Sequence, residues 1–391
     1  MGERNYWLGF SVFSGIGPIK FKKLLTNFGS AKDAWGASES DLEKVIGEKL
    51  ATKFDKFRLE FSIQDYARIL VREGVSFLIL NDRKYPKLLA EIKNPPFVLY
   101  VKGDPSTLRQ DGYRTGQYHS ARPSPEPTGS GTVTRQARTI IPTIAVVGTR
   151  KTTQYGREVT KILTQDLVAS GFTIVSGLAI GVDAISHRTA IENNGKTIAV
   201  LGCGVDCCYP LANQSIYNSI IDGQGFVISE FPLGLRPTKG SFPARNRIIA
   251  GLSLGVLVTE GAEDSGSLIT AGYAVKFGRP VFAVPGPITS SLSKGPYKLI
   301  SRGAKLVTTA NDILNELGIS SRSRIKNSEL RIKKGDTDEE NMILKILQNE
   351  PLHFDEIVRK TGLQSSELGS ILSVMEVKGM VKGLEGGMFS I

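Results

Sequence analysis

"FTIVSGLAIGVDAISHRTAIENNGKTIAVLG" (residues 172–202) decides the fold. Two short apolar, β-branched runs, 172–177 and 196–202, bracket a helical stretch near 181–194. Runs that are apolar throughout, rather than alternating, suit strands covered on both faces. Two such strands joined through a helix make a βαβ unit, whose crossover brings the second strand back parallel to the first. The rhythm continues outward. "TIAVVG" (143–148) and a helix near 156–169 come before it. A helix near 213–222, "GFVISE" (225–230), "GVLVTE" (255–260) and "RPVFAVPG" (279–286) come after. Six apolar strands with helical crossovers predict an α/β protein with an extended Rossmann-like, doubly wound parallel sheet over 143–318. Its site is expected at the carboxyl ends of the strands.

The flanks differ in composition. Residues 1–104 read as a mostly helical N-terminal domain of helix-hairpin-helix or SAM-like kind, with short strands at 75–80 and 97–101. Its "SGIGPIKFKKLL" (14–25) has a Gly-Ile-Gly-Pro turn. Without a second basic, glycine-rich copy it is read as an ordinary helical turn. Between Leu108 and Ile140 there is no Leu, Ile, Met, Phe or Trp. Such a stretch cannot offset its ordering entropy by burial, so 105–142 is expected to be a disordered insertion or linker. A basic linker follows at 319–337. Residues 338–391 have the outline of a winged-helix domain, three short helices and a terminal hairpin.

The 391 residues carry a formal net charge of +11. The last segment, 338–391, is acidic, with nine carboxylates against five cations. A basic body favours a polyanion such as nucleic acid. The acidic winged helix fits a partner-binding or regulatory role better than DNA reading. No run of about 18 apolar residues occurs, so no membrane span is expected. No signal peptide is read at the N-terminus. Three cysteines, Cys203, Cys207 and Cys208, sit in one loop. An odd, clustered set without paired zinc spacing points to a reducing cytoplasm and to no metal site.

Each strand of the α/β region ends in a small polar loop, such as Gly148-Thr149-Arg150, Ser176-Gly177 and Gly202-Cys203-Gly204. Glycines there let backbone amides approach an anion, and helix N-termini behind them add partial positive charge. Neither the dinucleotide fingerprint nor a Walker A sequence is present, so neither a cofactor nor nucleotide hydrolysis is expected. His187 reads as structural. Glu230 and Glu260 could form a carboxylate pair at neighbouring strand ends, but they are read as acceptors for loop amides. The stretch "KGSFPARNRIIAGLS" (239–253) stands apart. Arg236, Lys239, Arg245 and Arg247 cluster with Phe242 and Asn246, and no acidic residue lies between Glu230 and Glu260. Ser241 is expected to cap a helix with Pro243 in its first turn. The cations suit phosphates, and an exposed Phe242 would offer a stacking face. The bland alternative is an arginine paired with Glu230 or Glu260 and a buried phenylalanine.

"SGLAIGVDAISHRTAI" (176–191), "LGCGVDCCYPLAN" (201–213), "ISEFPLG" (228–234), "FPARNRIIAGLS" (242–253) and "EDSGSLITAGYAVKFGRPVFAVPG" (263–286) follow one another after Gly148-Thr149-Arg150. Together they resemble the DNA-processing protein A (DprA, or Smf) family over 143–310, and the flanking regions match its three-part layout. The resemblance implies a dimeric, cytoplasmic protein that binds single-stranded DNA, has no catalytic activity, and loads the RecA recombinase during natural transformation. It also implies that Arg150 reaches a phosphate and that Lys239, Phe242, Arg245, Asn246 and Arg247 line the same pocket. Gly148, Ser176, Gly177, Gly240, Ser265, Gly266 and Ser267 would offer backbone amides. Loss of Arg150 or Arg245 is then expected to weaken binding and leave the fold intact. Two alternatives are a Rossmann-like nucleotide phosphoribohydrolase and a sequence-specific transcription factor. The first would need a glutamate on the helix after residue 265, where this chain reads Ser265-Gly266-Ser267-Leu268-Ile269-Thr270-Ala271.

Overall fold

The computed structural model describes residues 1–105, 142–319, 335–347 and 350–390. The expectations for 105–142 and 319–337 therefore lie almost wholly outside the described residues. Two compact units are present, Met1–Ser320 and Ser321–Ile391.

The first unit is built on a nine-stranded sheet. Its strands are β1 (Val75–Ile79), β2 (Val98–Gly103), β3 (Thr143–Val147), β4 (Thr173–Ser176), β5 (Thr197–Val200), β6 (Gly225–Ser229), β7 (Val256–Val258), β8 (Val281–Ala283) and β9 (Lys305–Leu306). They lie in the order β1-β2-β6-β5-β4-β3-β7-β8-β9. Neighbours from β6 through β9 pair in parallel, and these include the six apolar runs expected from the sequence. The two short N-terminal strands form an antiparallel pair, and β2 adds antiparallel to β6. The direction of winding reverses at β3, which lies between β4 and β7, so a crevice opens there.

The period-two alternation of strands splits the interior into two cores. Val98, Tyr100, Ala199 and Val227 face one core, shared with an N-terminal bundle of six helices, α1 (Glu3–Val12), α2 (Pro18–Phe28), α3 (Ala31–Gly36), α4 (Glu39–Ile46), α5 (Glu48–Glu60) and α6 (Ile63–Arg72). Phe10, Phe21, Trp35 and Phe54 form its aromatic centre, with Phe21 stacked on Phe97 at 4.1 Å. Leu99, Val101, Ile198, Val200, Phe226 and Ile228 face the other core. The helices after the bundle are α7 (Lys87–Ala90), α8 (Gln154–Ala169), α9 (Val182–Glu192), α10 (Gln214–Ser219), α11 (Ser241–Leu252), α12 (Gly266–Lys276), α13 (Lys294–Ile300) and α14 (Ala310–Glu316). Leu89 of α7, Ile248 of α11 and Ala271 of α12 fill that second core.

The second unit has α15 (Asp338–Leu347), α16 (Phe354–Thr361), α17 (Ser365–Val377) and a small sheet of β10 (Leu352–His353), β11 (Lys382–Leu384) and β12 (Met388–Ser390). Its core joins Leu344, Ile357, Leu372 and Met375. This is the expected three-helix and hairpin layout. No helix among the described residues is long and apolar enough to cross a membrane.

Candidate nucleic-acid interface

A cleft of about 510 Å³ opens at the carboxyl ends of the strands, beside the reversal point. Of the residues expected at the site, it brings together Gly148, Arg150, Lys239, Phe242, Arg245, Asn246, Ser265, Gly266 and Ser267. Arg150 and Lys239 are exposed at its mouth, and neither pairs with a carboxylate among the described residues. The Arg150 guanidinium carbon lies 5.5 Å from the centroid of the Phe242 ring, within cation–π range. Phe242 is half-buried and faces the cleft, so it is not a core phenylalanine.

Arg245 is only 4% exposed and forms the floor of the cleft. Its Nη1 donates to the Gly177 carbonyl at 2.6 Å and to the Val200 carbonyl, tying α11 to the ends of β4 and β5. Its Nε donates to Asn246 Oδ1 at 3.1 Å. Asn246 Nδ2 reaches on to the Gly266 carbonyl at 3.4 Å, at the start of α12. Burial pulls the Arg245 pKa down, against the opposing charge of Asp183. Burial in turn raises that of Asp183, against the Arg245 charge and the amides bonded to its carboxylate.

Four expected contributors lie elsewhere. The Ser176 hydroxyl donates to the Val146 carbonyl at 2.7 Å inside the sheet. The Gly177 amide is used by Asp183 Oδ2 at 3.1 Å, and a Cβ there would stand 2.3 Å from the Arg245 guanidinium. Glycine at 177 is thus dictated by the arginine above it rather than by an approaching ligand. Gly240 is exposed outside the cleft as the N-cap of α11. Ser241 is therefore the first helical residue and not the cap. Its hydroxyl donates to the Thr238 carbonyl at 3.0 Å. Arg247 points away and pairs with Glu230 at 2.6 Å, both side chains 13% exposed. The absence of acids from 231 to 259 does not leave that charge free, because an acid at the end of β6 folds back to meet it.

Glu230 and Glu260 do not sit on neighbouring strands, since β5, β4 and β3 separate β6 from β7. Glu260 behaves as expected, accepting from the Thr153 amide at 3.0 Å and its hydroxyl at 2.6 Å at the start of α8. Glu230 takes the ion pair instead.

His187 is fully buried on α9. The Thr197 hydroxyl donates to the Ile174 carbonyl at 2.9 Å, so His187 Nδ1, 2.6 Å from that hydroxyl oxygen, must be the donor of the pair. Nε2 is left bare, without a partner among the described residues. Burial, helped by the Arg245 charge, holds the imidazole pKa down at about 3. The unfolded chain takes up this proton near pH 6.5, and the folded protein resists it until about pH 3. Between those values the unfolded state binds more protons, so this contribution to stability is complete above pH 6.5 and is lost as pH falls. We expect it to shrink by about 2 kcal/mol between pH 7 and pH 5. His187→Gln should then lose less melting temperature than wild type over the same interval. Parallel melting curves for the two proteins would contradict the assignment.

One residue of the cleft escaped the sequence reading. Tyr209, 47% exposed, sits beside Phe242 with ring centroids 5.7 Å apart and planes tilted by 38°. An aromatic residue in a polar strand-end loop, just past the cysteine cluster, was the available signal.

Fold and cleft define a class: an open, mostly parallel α/β protein whose reversal-point crevice combines exposed cations, aromatic rings and the N-terminus of α12, in a chain that also carries a winged helix. Comparison with known proteins narrows this. The family model described as DNA recombination-mediator protein A matches residues 130–318, and the DprA winged helix domain matches 330–387. Protein Smf of Synechocystis is 35% identical over 97% of this chain and 96% of its own length. The X-ray structure of DNA processing protein A from Streptococcus pneumoniae aligns with a TM-score of 0.63 at 34% identity, covering 80% of this chain and 97% of that one. The Helicobacter pylori DNA processing protein A, solved for its unique single-stranded DNA binding mode, aligns with a TM-score of 0.50 at 29% identity, over 62% of this chain and 95% of that one. The chain belongs to the DNA-processing protein A (DprA/Smf) family.

Proposed function

We propose that the protein binds single-stranded DNA in the strand-end cleft and works as a non-catalytic recombination mediator. One observation carries the reading: the cleft holds two cations, Arg150 and Lys239, that are unpaired among the described residues, against two adjoining aromatic rings, Phe242 and Tyr209. Free cations suit a phosphate backbone, and ring faces suit unpaired bases of any identity. Family membership supports the wider role, in which a cytoplasmic homodimer shields incoming DNA and hands it to the RecA recombinase during natural transformation.

The winged helix gives duplex reading little support. The exposed positions of α17, among them Ser366, Glu367, Ser370, Ser373, Val374 and Val377, include no basic side chain. Lys378, just past its end, is taken up by Asp336 and Glu340 at 2.7 Å each.

The test is a titration of labelled oligo-dT and of a duplex of equal length at two salt concentrations. The single strand should bind more tightly. Its log–log salt slope should be negative by about 0.7 for each phosphate contacted. Salt-independent binding, or release of base from nucleoside monophosphates, would overturn the reading. The wider role predicts faster RecA assembly on strands already coated with single-strand-binding protein.

A further inference from the structure

We infer that Tyr209 is a second base-stacking platform, and the more open of the two rings in the cleft. This rests on the single-strand reading and gives it a further residue. Phe242 is enclosed on several sides. Arg150 lies 5.5 Å from its centroid, Tyr209 adjoins it at 5.7 Å, and a Cβ on Gly202 would stand 3.2 Å from its Cδ1. That ring, half-buried, offers a ligand less open surface than its neighbour does. Tyr209 lines the same cleft with nearly half of its surface in solvent.

Exposure alone would not make a platform, because a mobile ring pays ordering entropy on binding. Here the loop that carries it is pinned on both sides. Before the ring, the Cys207 amide donates to the Gly204 carbonyl at 3.0 Å and the Cys203 thiol to the Cys207 carbonyl at 3.2 Å. The Gly204 amide donates across to the Leu235 carbonyl at 2.9 Å, and Asp206 Oδ2 accepts from the Gly234 amide at 2.9 Å. After the ring, the Asn213 amide donates to the Pro210 carbonyl at 3.0 Å and its side chain to the Leu178 carbonyl at 2.9 Å. The loop therefore presents Tyr209 in a set position, so a base stacking on it orders little further protein. Bases locked in a duplex cannot present a free face to the ring, so the same residue favours single strands over paired ones.

The experiment compares two probes, oligo-dT and a chain of equal length in which every thymine is replaced by an abasic residue. The abasic chain keeps the phosphates and removes the stacking surface. Wild type should prefer oligo-dT. Tyr209→Ala should bind oligo-dT about 5- to 100-fold more weakly while binding the abasic chain within about twofold of wild type. Tyr209→Phe should restore oligo-dT binding. Equal losses on both probes would show that the residue acts through loop structure, and no loss on either would show that nothing stacks there; each overturns the inference. Failure of wild type to bind either probe would instead overturn the nucleic-acid reading beneath it.

Discussion

Arg245→Ala is expected to lower stability by about 3–5 kcal/mol, a loss typical of stripping one partner from a buried charge network. Three consequences add up. The Gly177 and Val200 carbonyls lose their shared donor at the ends of two central strands. The buried Asp183 carboxylate loses the cation that offsets its desolvation. A cavity opens between α11 and the sheet. Whole-domain stability is ordinarily about 5–15 kcal/mol, so this is a large share of it. Thermal melting followed by circular dichroism should show a fall of at least about 6 °C. Arg245→Lys should recover little, because one ammonium lacks the forked geometry in which Nη1 meets both carbonyls while Nε donates to Asn246. Melting within about 2 °C of wild type would refute the structural role. This expectation replaces the sequence-based one of weakened binding on an intact fold, because Arg245 is buried.

The second large effect concerns the free cations. Arg150→Ala combined with Lys239→Ala should weaken binding to oligo-dT by about 100-fold at low salt, as two charge-assisted phosphate contacts are lost. The salt slope should become shallower by about 1.4, or about 0.7 for each contact. Melting should stay near the wild-type value, since both side chains are exposed and unpaired among the described residues. A weakened affinity with an unchanged slope would mean that the two residues do not touch phosphates. Together the two experiments separate basic residues that hold the cleft together from those that face its ligand.

That separation was only partly legible in the sequence. Strands β3 to β8 could be read because burial on both faces demands unbroken apolar runs. Strand β9 could not, being two exposed residues, Lys305 and Leu306. The two N-terminal strands could be seen, but their docking on β6 is a long-range pairing that leaves no local trace. In the site, Arg150, Lys239, Arg245 and Arg247 look alike as letters. Their roles depend on direction. Ser241, Arg245, Ile248, Ile249 and Leu252 share a helical stripe, and all five are buried. An arginine on an apolar stripe was the available sign that its charge is spent inside the protein. Arg247 gave no such sign along its helix, and its pairing with Glu230, 17 positions back at the end of another strand, stood only as the bland alternative.

The antiparallel docking of β2 on β6 also fixes where the chain between β2 and β3 departs and returns. Gly103 stands opposite Phe226, near the start of β6, and β3 begins at Thr143. Both anchor points therefore lie on the rim of the sheet remote from the cleft. They are four strand spacings apart, roughly 19 Å, a gap that a bridge of about eight residues could cross. Loop-closure cost grows only with the logarithm of length, so the two anchor points themselves put little limit on how long a connection between them can be.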